Sequence, residues 1–281
     1  MSTPKTIIKV AAAASLKNGL DDIIAAFEGS IGTVKVYVDY AGSYALADII
    51  TTMGNTTYDV YLSASDETDL KGMKKVSNAG KILPDVPPVS PPSYSVEFIA
   101  NDLVLIKNAA WVTNPPTPIS GFGNVIKDIL GSAHIWIANP DLAPAGEYAK
   151  EAFEATTSTT NWTQLLTKAT ANNTVGPDVQ ATLNGLINDS TAALGVVYRS
   201  DYKNPPSIPL SNAYFVNYAP LDINQKIIYS AAVLTNATSH GVAALAGNFV
   251  SSIVTNINTY FLPKGFRLKD PATAHKPGDP I

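Results

Sequence analysis

Residues 6–27 read TIIKVAAAASLKNGLDDIIAAF. The run from Thr6 to Val10 is apolar and rich in β-branched residues, and small residues follow it. From Leu16 onward the apolar positions Leu16, Leu20, Ile23, Ile24 and Phe27 return at helical intervals. A strand therefore ends in a small-residue loop at Ser15, and an amphipathic helix begins. The same transition occurs three more times. VYVDYAGSYALADII (36–50) turns at Ser43 into the stripe Leu46, Ile49, Ile50 and Met53, with Gly54 placed to stop the helix. IWIANPDLAPAGEYAKEAF (135–153) turns around Ala145 into Tyr148, Ala152 and Phe153. VGPDVQATLNGLI (175–187) turns at Val179 into Leu183, Leu186 and Ile187.

These helical faces need a sheet to cover. Short runs rich in β-branched and aromatic residues supply it: Thr6 to Val10, Val34 to Val38, Asp59 to Leu62, Leu103 to Ile106, His134 to Ile137, Gly195 to Tyr198 and Lys226 to Leu234. Strands alternating with helices predict an α/β fold of βαβ units with mostly parallel sheets. Ligands of such sheets sit beyond the carboxyl ends of the strands, where all four junctions fall. Each helix start also presents backbone N–H groups without intrahelical partners and the positive end of the helix dipole. Several starts aimed at one point form an anion cage.

Composition sets the limits. A chain of 281 residues corresponds to about two domains and can bury roughly three quarters of its unfolded surface, so stability needs no metal or disulfide. Cys is absent, which excludes disulfides, thiolate metal sites and cysteine nucleophiles. Net charge is −4 with 15% charged residues and no basic cluster, so nucleic acid is not an expected partner. No apolar run approaches the ~20 residues of a membrane span, and the start MSTPKTIIKV lacks the apolar core of a secretion signal. Two readings stand: a cytoplasmic protein, or an exported domain whose signal or lipid-anchor segment has been replaced by an initiator Met.

Two Pro-rich stretches, LPDVPPVSPPSYS (83–95) and NPPSIPL (204–210), bracket the middle of the chain. They predict two lobes, the first from residues 1–100 and 204–281 and the second from 101–203. The polar tail Lys269 to Ile281 reads as an extended or disordered end. The sequons at Asn55, Asn161, Asn172, Asn188 and Asn236 read as chance in a chain rich in Thr and Asn.

In this order, VAAAASLKNGLDDIIAAFE (10–28), AGSYALADII (41–50), YDVYLSASDE (58–67), NDLVLIKN (101–108), IANPDLAPAGEYAKEAFE (137–154) and ALGVVYRSDY (193–202) resemble the molybdate-binding proteins, ModA type, of ABC importers. The resemblance runs from Val10 to Tyr202 and more weakly to YFLPKGF (260–266), with NP-x-x-x-PAG-x-YAKEA its most specific piece. It implies a two-lobe, type II periplasmic-binding-protein fold that traps molybdate or tungstate in the interlobe cleft and delivers it to a membrane permease. It further implies a monomeric, periplasmic or membrane-anchored extracytoplasmic protein without a cofactor. The family holds its oxyanion with hydroxyls and backbone N–H groups and no countercharged side chain. Carried onto this chain, these are the hydroxyl and N–H of Ser15 and of Ser43, the N–H of Ala145, the N–H of Val179 and the phenol of Tyr198. Side chains that bind a free metal cation are not implied.

The chemistry is consistent on its own terms. A tetrahedral dianion carries only acceptor oxygens, so neutral donors suffice when each oxygen receives charge-assisted hydrogen bonds. Obligate donors reject a protonated oxyanion, whose own O–H would lack an acceptor. Selection between molybdate and sulfate then falls to cavity size. Against these roles stand plainer ones: Ser15 and Ser43 as helix caps, Ala145 and Val179 as first-turn packing, Tyr198 as a core tyrosine. Asp66 and Glu67 read as a helix start rather than a metal site. Hydrolysis is disfavoured because AGSYA lacks the G-x-S-x-G pattern and only three His are available: His134 in a strand, His240 in a turn and His275 in the tail. GFGNVIKD (121–128) lacks the third Gly of a dinucleotide fingerprint. The alternatives that remain are a carrier of sulfate or another tetrahedral oxyanion, and a cytoplasmic oxyanion-sensing domain of the same fold, for which no DNA-binding segment is visible.

Overall fold

The computed structural model describes residues 5–52, 57–84, 95–111, 122–124, 133–156, 159–191, 193–204 and 213–281. Its strands are β1 (Thr6–Ala13), β2 (Val34–Ala41), β3 (Val60–Ser63), β4 (Val96–Ala100), β5 (Leu103–Asn108), β6 (His134–Ala138), β7 (Val175–Gly176), β8 (Ala193–Tyr198), β9 (Ala213–Tyr218) and β10 (Ile228–Val233). They form two five-stranded sheets, ordered β2-β1-β3-β10-β4 and β7-β6-β8-β5-β9. The chain divides into two compact units, Met1–Ala100 with Ile228–Lys264, and Asn101–Ile227 with Gly265–Ile281.

In the first unit β1 runs parallel to β2 and β3, while β10 runs antiparallel to β3 and β4, so β10 alone is reversed. In the second, β6 is parallel to β7 and β8, and β5 is antiparallel to β8 and β9, so β5 alone is reversed. The two sheets share one topology, and each reversed strand is the one entered as the chain arrives from the other unit. The sheets are mostly parallel, as the strand–helix alternation predicts.

Both faces of a parallel sheet must be covered. In the first unit the helix Lys17–Ile31 buries Leu20, Ile23 and Phe27, and Phe27 meets Phe249 of the helix Ala243–Thr255 edge-on at 5.1 Å between centroids. The helix Ser43–Thr52 buries Leu46, Ala47 and Ile50 against Ala11, Tyr61, Met73 and Val76. Leu46 and Ile50 each contribute about 1.5–3 kcal/mol. Ile49, expected in that stripe, is exposed; Ala47 takes its place on the buried face. Met53 and Gly54 lie outside the described residues. In the second unit the helix Pro144–Thr156 places Phe153 against Phe122 at 5.1 Å and Trp162 at 6.1 Å, and the helix Val179–Asn188 buries Val179, Leu183 and Leu186.

Two expectations about the chain path need correction. The return to the first unit falls at Ile228, not at Asn204. Residues 205–210 of the second Pro-rich stretch, and 85–94 of the first, lie outside the described residues, but β9 pairs with β5 and so keeps the chain in the second unit. The tail is not a loose end. Asp102 is fully buried, and a buried carboxylate needs partners. Arg267 Nε reaches its Oδ1 at 3.0 Å and His275 Nδ1 its Oδ2 at 2.7 Å. The His275 ring stacks on Tyr218 at 4.7 Å, and its carbonyl accepts from Asn224 Nδ2. The tail is thereby fixed to the second unit by a buried ion pair.

Candidate oxyanion site

In the first unit the register Ala13↔Ala41 ends the β1–β2 ladder. Ser15 and Ser43 each follow two residues later, so neighbouring parallel strands deliver both serines at one edge of the sheet. Both are buried. Neither caps a helix. Ser15 lies in a single 3-10 turn, Ala14–Leu16, and its Oγ pairs with Tyr229 Oη at 2.9 Å. Ser43 is the first residue of its helix, and its Oγ accepts from Ala64 N at 3.0 Å, a partner outside that helix. The Ser43 lone pair is engaged and its proton remains to donate. The helical ladder starts with Leu46 N→Gly42 O, which places the N–H of Ser43 ahead of it.

Behind the serines lies a layer of buried hydroxyls. Tyr61 Oη donates to Ser43 O at 2.8 Å, Ser63 Oγ and Ser65 Oγ pair at 2.7 Å, and Ser230 Oγ donates to Ser65 O at 2.6 Å. Burial holds the Tyr61 phenol well above the usual tyrosine range, so it stays a donor. These contacts fix the Ser43 backbone and add no charge.

In the second unit Ala145, Val179 and Tyr198 follow or end β6, β7 and β8, three parallel strands whose carboxyl ends share one edge. All three residues are buried. Pro144 has no N–H and Gly146 N is bonded to Ala143 O, which leaves the N–H of Ala145 in that first turn. Gly146 is required there, because a Cβ would stand 2.4 Å from Ala138 O and 2.5 Å from Pro140 N. Asp178 caps the helix Val179–Asn188 by accepting from Ala181 N at 2.9 Å, and Thr182 N bonds Asp178 O. The N–H groups of Val179 and Gln180 remain ahead of the ladder. Arg199 follows Tyr198 but directs its guanidinium to Tyr218 Oη at 3.1 Å and Gly265 O at 2.8 Å.

Several partners were not readable from sequence. Tyr229 reaches Ser15 from 214 residues away and carries no local mark. Asp178, an acidic residue before an apolar stripe, is legible as an N-cap. Asp66, expected to start a helix, closes a turn instead: its Oδ1 accepts from Thr68 N and Asp69 N, and the next helix begins at Met73. Among the described residues no group of three or more His, Asp or Glu is placed to hold a metal ion, and no helix is long and apolar enough to cross a membrane.

Two helix-flanked sheets of shared topology, with hydroxyls and first-turn N–H groups at the carboxyl edges, define the class of two-lobe periplasmic binding proteins. The chain belongs to the family described as bacterial extracellular solute-binding protein, whose profile matches residues 8–253. It is 28% identical over 235 residues to the molybdate-binding protein ModA of Escherichia coli, covering 82% of this chain and 79% of that one. It is 25% identical over 228 residues to the ModA of Haemophilus influenzae, covering 81% and 78%. Among solved structures, the periplasmic molybdate-binding protein of Azotobacter vinelandii superposes with a TM-score of 0.65 at 21% identity, covering 94% of this chain and all of that one, a likeness of fold.

Proposed function

We propose that this chain is the extracytoplasmic binding component of an ABC importer and that its cargo is molybdate or tungstate. One observation carries the reading: Ser15 and Ser43, buried at one sheet edge, cap no helix, and Ser43, whose Oγ accepts from Ala64 N, keeps its proton to donate. The donors assigned to the oxyanion are the hydroxyls and N–H groups of Ser15 and Ser43, the N–H groups of Ala145 and Val179, and the Tyr198 phenol. The names of the curated relatives support the cargo. In this reading the protein is a monomeric carrier delivering to a membrane permease. It performs no catalysis, needs no cofactor and binds no nucleic acid.

The test is isothermal titration of the ligand-free protein with molybdate, tungstate, sulfate and phosphate. Molybdate and tungstate, nearly equal in size, bind alike. The smaller sulfate cannot reach every donor at once and leaves some buried and unpaired, at about 1–3 kcal/mol each. Absence of molybdate and tungstate binding, or sulfate binding of equal strength, overturns the assignment of cargo.

A further inference from the structure

Gln180 and Asp201 meet inside the second unit, where Gln180 Nε2 donates to Asp201 Oδ1. Gln180 follows Val179 in the first turn of its helix, and Asp201 lies three residues beyond Tyr198 in the short helix Arg199–Lys203. Asp201 is fully buried. Its Oδ2 and the Gln180 Oε1 are both buried without a hydrogen-bond partner. An ionised carboxylate and an amide carbonyl offer acceptors only, so these two oxygens cannot satisfy each other. One added proton satisfies both, because a carboxylic acid and a primary amide close a ring of two hydrogen bonds.

We infer that Asp201 is a neutral carboxylic acid whose Oδ2–H is donated to Gln180 Oε1, and that this closed ring is the positioning element that joins the helix start at Val179 to the strand end at Tyr198. Its functional meaning rests on the oxyanion role proposed above. Burial pushes the Asp201 carboxyl well above the usual carboxylate range; the Gln180 bond and the Tyr198 backbone N–H oppose the rise, and the negative charge of Asp178 adds to it. Arg199, on the same short helix, is engaged with Tyr218 and Gly265 and offers Asp201 no countercharge. A neutral ring braces two donor positions without setting a negative charge beside a dianion, which an ionised Asp201 would do.

Isotope-edited infrared difference spectroscopy of the ligand-free protein at neutral pH tests the protonation state. The parent protein shows the C=O stretch of a protonated carboxyl that Asp201→Asn lacks; carboxylate bands alone overturn the inference. That readout needs no ligand, so it stands whether or not molybdate is the cargo. Titration with molybdate tests the positioning role. Asp201→Ala weakens binding about tenfold, and Asp201→Asn, whose amide both donates to Oε1 and accepts from Nε2, restores it to within about twofold. An Asn variant that binds as poorly as the Ala variant, or distinctly more tightly than the parent, shows that the neutral ring is wrong.

Discussion

Ser43 gives its lone pair to Ala64 N–H, and that contact separates its two contributions. Ser43→Ala loses a hydrogen bond to the charged ligand, about 1.5–3 kcal/mol of affinity, and strips Ala64 N–H of its acceptor, about 1–3 kcal/mol of stability. Ser15→Ala loses affinity on the same scale with a smaller change in melting, since Ser15 holds no backbone group by its side chain. Titration with molybdate beside thermal unfolding checks both; variants that bind normally but melt early would leave the serines a purely structural role. Sequence located both serines because each stands at a strand-to-helix junction within a recognisable motif. Their partners escaped it because hydrogen bonds across 21 and 214 residues leave no local pattern.

A short approach between β6 and the helix Pro144–Thr156 depends on the missing side chain of Gly146. Gly146→Ala drives a Cβ into the Ala138 carbonyl, so the helix start must withdraw and carry Ala145 N–H with it. The expected cost is about 1–3 kcal/mol of stability, together with weaker oxyanion binding, measured by urea unfolding and by titration. Unchanged affinity would detach Ala145 from the ligand. Elements with contrasting faces were legible: the four junction helices and the seven strands read from their runs are present. The helix Thr159–Ala171 was not, because Thr at five of its thirteen positions lowers its propensity while Trp162 and Leu165 do the packing. The helix Ala243–Thr255 has too few polar residues for a clear stripe. The edge strands β4 and β9 are short and only partly buried, so their alternation is faint.

Three passages of chain link the units, at Ala100, Ile227 and Lys264. Proline content marked the neighbourhood of the first and misplaced the second, because a proline-rich stretch breaks regular structure without saying whether the chain then changes unit. The third depends on a buried ion pair that composition cannot show. Arg267→Leu leaves Asp102 with His275 alone, and breaking such a pair costs about 3–5 kcal/mol; equilibrium urea unfolding measures it, and a loss below about 1 kcal/mol would make the tail dispensable to stability. The reversed strand β10 has a different consequence, one of time rather than energy. It inserts between β3 and β4, so the first sheet keeps a gap with two unpaired edges until residues 228–233 have been synthesised. Pairing across that separation is slow. A nascent chain therefore cannot complete its amino-terminal unit until Lys264, the last residue of that unit, has been made.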